Sequence, residues 1–364
     1  SKTISARGGP VSLAFASGTS SVSYVPKFAY AVNVTTSNVS VFTIDQFSGA
    51  LTSVGSPVST GGTNPRSVTV DPSGRFAYAV NSSSDNVSAF TVDQVSGALT
   101  TVGSPVSTGG TNPRSVTTDP SGRFAYAANL SSHDVTVFNI NQANGALTVA
   151  GTPIGTAGSG PESVGIDPSG RFAYVANGGG NVSIFEINQS SGELTAVGTP
   201  VSTGVSSVPS SVSVAPSGRF AYVADRVLNR VSTFSIDQTT GELTPVGTAI
   251  NTAGAHPNAI TIDPTGQFLY ATNRDGYSVS VFTINQTTGE LIAVGTPVPT
   301  ADGAPEPVGI TVESSGRFVY IANTVTNNIS VFSIDQATGA LIAVGTPENA
   351  GTFPISIATI STIQ

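Results

Sequence analysis

Ionisable side chains are scarce in this chain of 364 residues, so the few that stand out carry most of its chemical information. Charged residues make up 9% of it, and its only histidines are His133 and His256. A general acid–base centre needs a histidine or carboxylate beside an anion-binding arginine. The side chains able to supply one are His133, Asp134, Glu162, Asp225, Arg226, Arg230, His256, Arg274 and Asp275, together with Arg66 and Arg114, which each follow a proline. Glu162 with Arg66 or Arg114 is one such combination, and His133 is a second candidate base. The simpler account, ordinary ion pairs and solvated loop residues, is the preferred one. No metal site is expected, because the two histidines are far apart, cysteine is absent and no calcium-loop spacing occurs. Gly178-Gly179-Gly180 reads as a shortened loop and not a phosphate cradle, since no strand-to-helix context follows. No cofactor is implied.

The elements that must position these residues are set by an internal repeat. The sequence Phe-Ala-Tyr-Ala-Val-Asn at 76–81 returns seven times with small changes, its tyrosine falling at Tyr30, Tyr78, Tyr126, Tyr174, Tyr222, Tyr270 and Tyr320. The spacing is 48 residues five times and then 50. Phe42, Phe90, Phe138, Phe185, Phe234, Phe282 and Phe332 keep the same beat, as do the glycines of the Asp/Asn-Gln-x-x-Gly-x-Leu turn from Gly49 to Gly339. Such a period fits a four-stranded propeller blade, and seven copies make a ring. The expected fold is therefore all-β, a seven-bladed β-propeller of four-stranded antiparallel blades.

Within the second repeat, Ser67–Val70, Phe76–Val80 and Val87–Val92 alternate as strands do, and Leu99–Val102 opens the outer strand. Asp71-Pro72-Ser73-Gly74-Arg75 and Asp93–Gly97 are tight turns on one face. The turn arginines Arg75, Arg123, Arg171, Arg219 and Arg317 are expected to pair with the turn aspartates. The Asn-led loops and the entries to the innermost strands lie on the opposite face, where the repeats differ. That variable face, around the channel mouth, is the expected binding surface. Its ligand-binding candidates are Arg66, Arg114, Glu162, Arg226, Arg230, His256 and Arg274.

Composition narrows the setting. Net charge is −8 and the pI about 4.6, with no basic stripe, so no nucleic-acid partner is expected. No stretch of about 18 apolar residues occurs, so no membrane span is expected. The chain begins at Ser1 without methionine; trimming is one explanation, and removal of a signal peptide from an exported, extracellular or cell-surface protein is preferred. Nine Asn-x-Ser/Thr sequons occur, at Asn33, Asn38, Asn81, Asn86, Asn129, Asn181, Asn188, Asn285 and Asn328, each a candidate glycosylation site.

Tyr174-Val175-Ala176-Asn177, followed by Asn181-Val182-Ser183-Ile184-Phe185, resembles the YVTN-type propeller repeat. Asp237-Gln238-Thr239-Thr240-Gly241-Glu242-Leu243, continuing through Thr244-Pro245-Val246-Gly247, is similar to the strand-turn-strand of the seven-bladed lactonase family, which includes 6-phosphogluconolactonase. The resemblance covers roughly 25 to 360. It implies lactones or their open acids as substrates, handled by a few His, Arg and Glu side chains near the channel. Family members often place His near a proline at a strand entry. This chain has Arg66, Arg114, Glu162, Ser210 and Asn258 there, so no catalytic set transfers residue by residue.

Eight innermost-strand candidates compete for seven blades. The segment 355–360 fits the repeat better than 21–25, so the C-terminal strand is expected to close the first blade. The expected division is a propeller over 26–364 and an N-terminal extension over 1–25 with a spare strand at Val11–Phe15. Two function classes stay open. The preferred one is a non-catalytic extracellular propeller, a surface or matrix scaffold or interaction module. Its partner would be another surface component or a second copy, in a homo-oligomer or filament through 1–25. The reasons are few catalytic side chains, a Ser/Thr-rich surface of low charge, near-identical adjacent repeats and the spare strand. The alternative is a lactonase-like hydrolase with Glu162, His133 and Arg114 at the channel mouth.

Overall fold

The computed structural model describes residues 24–300 and 306–363. Seven antiparallel sheets follow one another around a ring, and among the described residues there is no helix. In the second blade the innermost strand is Pro65–Val70, followed outward by Phe76–Asn81, Asn86–Val92 and an outer strand in two pieces, Leu99–Thr101 and Val106–Ser107. The other blades repeat this plan, except that the fifth has one continuous outer strand, Leu243–Asn251. In the first blade the innermost strand is the C-terminal segment Pro354–Ile363, paired antiparallel to Tyr24–Asn33. The spare strand at Val11–Phe15 and most of the 1–25 extension lie outside the described residues; Tyr24 and Val25 begin a strand of the first blade.

The alternation of large and small residues in the second strand explains how blades stack. Side chains on the two faces of a strand alternate. Phe76, Tyr78 and Val80 of the second blade pack against Ala125, Ala127 and Phe138 of the third. Large residues on one face thus meet alanines on the next blade, and the same cluster recurs around the ring. Each tyrosine buries on the order of 150–250 Å². Its hydroxyl donates to the turn glycine of the next blade: Tyr30 to the Gly97 carbonyl at 2.9 Å, Tyr78 to Gly145 at 3.1 Å, and finally Tyr320 back to Gly49 at 3.0 Å. Only glycine fits that turn. Gly97 has φ +77°, and a Cβ there would sit 2.4 Å from the Phe28 ring.

The two turn families share a face, as expected. Gln94 Nε2 donates to the Gly74 carbonyl at 2.8 Å and so ties one to the other. Asp71 Oδ1 accepts the Phe76 N–H at 2.7 Å. The turn arginines do not pair with these aspartates. Arg75 lies over the Phe76 ring at 4.9 Å and donates to the Gln142 carbonyl of the next blade at 3.2 Å. The Asp71 carboxylate is already occupied by its own turn, through the Ser73 and Phe76 N–H groups, so the arginine reaches outward instead.

The buried tyrosines predict an alkaline transition. Burial, and at Tyr78 the smaller push from Asp71, raises each interblade phenol well above its ordinary value of 10. The unfolded chain therefore loses these protons first. Stability from these groups is intact below about pH 10 and falls as pH rises above it. Absorbance at 295 nm is expected to show most tyrosines ionising in one cooperative step that coincides with loss of β-sheet circular dichroism. Gradual ionisation near pH 10 with the sheet intact would refute the packing described.

Candidate functional site

The channel mouth is built by the residue that follows each leading proline. Proline presets φ at the strand entry, so the next side chain is delivered in the same way by every blade. From the second blade onward these residues are Arg66, Arg114, Glu162, Ser210, Asn258 and Val308, and Ile355 of the first blade completes the set. All seven line one cavity of about 680 Å³. A second tier comes from the residue after the Asn or Asp that ends each second strand: Leu130, Arg226, Arg274 and Thr324 also line the cavity.

The charges at this mouth pair in a way the sequence did not indicate. Glu162 does not pair with Arg66 or Arg114. Its Oε1 accepts from Arg226 Nη2 at 2.9 Å, and the two side chains are 15% and 29% exposed. Glu162 Oε2 has no hydrogen-bond partner among the described residues. Arg274 is likewise engaged, donating from Nε and Nη2 to Glu306 Oε2 at 3.1 and 2.9 Å. Arg66 and Arg114 make no ion pair among the described residues, and the Nε atom of each is buried without a partner. The Arg66 guanidinium is held below its usual value by burial first and by the neighbouring Arg114 charge second, while Glu162 pulls the other way. Two adjacent, partly desolvated cations beside a fixed carboxylate form a site for an anion or a developing oxyanion.

Of the histidine and arginine candidates, three fall outside the cavity. His133 is exposed, and its Nδ1 accepts the Gly160 N–H of the next blade at 2.9 Å. Ser37, Asp85, Asn229 and Asn327 do the same for Asn64, Asn112, His256 and Phe353. The histidine is therefore one version of an interblade tie, and its expected place at the channel mouth is corrected. His256 Nδ1 lies 3.0 Å from Asp275 Oδ2. Arg230 donates to the Thr203 carbonyl at 2.7 Å and sits 3.6 Å from Asp225. Neither faces the mouth. Asp134 is spent as well, accepting from Asn129 Nδ2 at 2.6 Å.

Serines below the mouth are wall residues. Ser67, Ser163, Ser211 and Ser356 accept backbone N–H groups from the following blade at 3.2–3.4 Å. A serine nucleophile needs a base within hydrogen-bond reach, and neither histidine lines this cavity.

The sequons also need correction. Asn33, Asn81 and Asn129 are 0% exposed, and each Nδ2 makes two hydrogen bonds, from Asn81 to Asn86 Oδ1 and Ser88 Oγ at 2.8 Å. In the folded ring these nitrogens cannot carry a glycan. Asn38, Asn86, Asn181 and Asn328 are part-buried acceptors of the same bonds. Asn188 and Asn285 alone stand exposed, in turns.

Comparison with known proteins decides the family. The model of the family described as "Lactonase, 7-bladed beta-propeller" matches residues 10–109, 103–156, 116–208, 156–305 and 293–361. The chain belongs to this lactonase family. No curated protein sequence matches it. Among solved structures, a Bacteroides fragilis protein provisionally assigned as a 6-phosphogluconolactonase is 25% identical. The match covers 94% of this chain and 99% of that one with a TM-score of 0.81. A Bacteroides uniformis protein with the same provisional assignment is 22% identical over 92% of this chain and 100% of that one, with a TM-score of 0.80. The periplasmic gluconolactonase of Pseudomonas aeruginosa is 22% identical over 92% and 99%, with a TM-score of 0.78. The two likenesses at 22% carry the fold alone.

These findings correct the expectation of a non-catalytic scaffold or interaction module. The family match and the 25%-identical Bacteroides fragilis protein side with the alternative, a lactonase-like hydrolase. The physical reason for the misreading is plain in this lactonase-family ring. Ionisable groups that look thinly scattered along the chain are gathered by five blades into one mouth.

Proposed function

We propose that the protein hydrolyses a lactone at the channel mouth, with Glu162 as general base and Arg66 and Arg114 as the anion-stabilising pair. The observation that carries this reading is the Glu162 carboxylate, clamped by Arg226 through one oxygen, beside two guanidiniums that have no ion-pair partner. Family membership and the provisional 6-phosphogluconolactonase assignment of the 25%-identical neighbour support the same reaction class.

In the first step water adds to the lactone carbonyl while its proton passes to Glu162. The carbonyl oxygen becomes an oxyanion held by Arg66 and Arg114. Collapse breaks the bond from the acyl carbon to the ring oxygen, and the proton returns from Glu162 to that oxygen. The product is a hydroxy acid that releases water's second proton to solvent, and its new carboxylate stays opposite the arginines until it leaves.

The test is hydrolysis followed by pH-stat above the spontaneous rate, with 6-phosphogluconolactone, glucono-δ-lactone and simple γ- and δ-lactones. Saturable turnover of at least one is expected. Arg66→Gln and Arg114→Gln are each expected to lower kcat/KM by about 10- to 100-fold, the scale of a charge-assisted hydrogen bond. Absence of turnover for the whole series would defeat the proposal.

A further inference from the structure

The mouth is divided by polarity in a way that hydrolysis alone does not require. Around the ring the post-proline residues run Arg66, Arg114, Glu162 in blades two to four, Ser210 and Asn258 in blades five and six, then Val308 and Ile355 in blades seven and one. In a ring of seven, the fourth blade faces the junction of the seventh and first. Glu162 therefore looks across the channel at the only two apolar members of the set. Phe353, two residues before Ile355, lines the same cavity on the same side.

Core packing accounts for part of this apolar arc, since Val308 is buried and Ile355 packs against the core between the first and second blades, whereas Phe353 joins none of the interblade clusters among the described residues. The post-proline position in other blades accepts Arg, Glu, Ser and Asn, so the repeat itself does not demand a hydrophobic residue there. Phe353 and Ile355 remain only half-buried, with surface left to offer a ligand. The backbone adds an independent sign. The residue before the leading proline is in the left-handed region at Asn64 (φ +59°), Asn112 (+56°), Gly160 (+65°), His256 (+60°), Glu306 (+47°) and Phe353 (+64°). Asn, Gly and His adopt that region readily, whereas a bulky aromatic does so under strain. An aromatic is thus held at the mouth where asparagine would sit more easily.

Resting on the hydrolase reading above, we infer that the substrate is an amphiphilic lactone: its carbonyl and any acidic group meet Arg66 and Arg114, and an apolar substituent lies against Phe353, Ile355 and Val308. Such a substituent spans the channel away from Glu162 and excludes water from the side opposite the attacking one. A sugar lactone, with hydroxyls all round, would leave that arc without a partner and would strip water from its own hydroxyls against apolar carbon.

The experiment compares two carboxy-γ-butyrolactones that differ only in a phenyl or a hydroxymethyl substituent. The phenyl compound is expected to have the higher kcat/KM by roughly tenfold or more, the scale on which an apolar pocket discriminates. Phe353→Asn, which restores the residue used at 64 and 112, is expected to fold and melt at least as high as the parent. It is expected to cut the ratio of the two kcat/KM values about tenfold, while Phe353→Leu keeps it. Equal rates, preference for the hydroxymethyl lactone, or a ratio unmoved in Phe353→Asn would overturn the inference. If neither lactone is hydrolysed, the hydrolase reading fails separately. Calorimetry with 4-phenylbutyrate and 4-hydroxybutyrate then decides the inference. Tighter binding of the phenyl anion, lost in Phe353→Asn, upholds it, and equal or weaker binding sinks it.

Discussion

Glu162→Gln is expected to reduce kcat for lactone hydrolysis by about 10²- to 10⁴-fold while leaving KM nearly unchanged. The glutamine keeps the size of the side chain and an oxygen that can accept from Arg226, so the mouth should keep its shape. What it loses is the ability to take a proton from water. Because the substrate meets Arg66 and Arg114 and not Glu162 in the ground state, the loss should appear in kcat and not in binding. His133→Ala serves as the contrast. That histidine holds the Gly160 N–H and lies outside the cavity, so its removal should lower the melting temperature by a few degrees and leave kcat within about threefold. If His133→Ala abolishes turnover and Glu162→Gln does not, the histidine is the base and the glutamate a structural residue.

Truncation after Phe353 is expected to prevent the ring from folding. The segment Pro354–Ile363 is the innermost strand of the first blade, and its removal leaves the Tyr24–Asn33 edge open at the channel. Ile360 sits in the cluster between the first and second blades and Ile357 in the one between the first and seventh. Each is worth roughly 1.5–3 kcal/mol when fully buried. Adding the lost ladder of backbone hydrogen bonds brings the deficit close to the whole stability of a typical domain, about 5–15 kcal/mol. Circular dichroism and gel filtration should show an aggregated or unfolded chain. A monomer with an unchanged melting curve would mean that the ring is held some other way.

Several residues show why the candidate site is only half legible before the ring is assembled. The post-proline position is readable as a heterogeneous set because prolines mark it in every repeat, and Arg66, Arg114 and Glu162 do line one cavity. The polar members end at Asn258. Val308 and Ile355 share their register, yet apolar residues in a strand look like core. Phe353 carries no signal at all, since a left-handed φ at an aromatic is not visible in a residue string. His133 draws notice through its chemistry, although its counterparts in the other repeats, Ser, Asp and Asn, share nothing with it but an acceptor atom.

The residue string is enough to specify seven blades, the order of strands within each, the turns on one face and the tyrosine layer between blades. These depend on contacts within one repeat, or between one repeat and the next, and each is written seven times. Which charges meet is settled only in three dimensions. Glu162 and Arg226 are 64 positions apart and belong to neighbouring blades, so their pairing depends on how the loop after Asp225 brings its arginine to the innermost strand of the blade before it. That choice leaves Arg66 and Arg114 without carboxylate partners among the described residues, and closure of the seven-bladed ring places the apolar arc opposite Glu162. The prolines mark where each blade contributes a residue to the mouth, but no local pattern shows which of those residues will meet. The parts of the site come into register only when the ring closes.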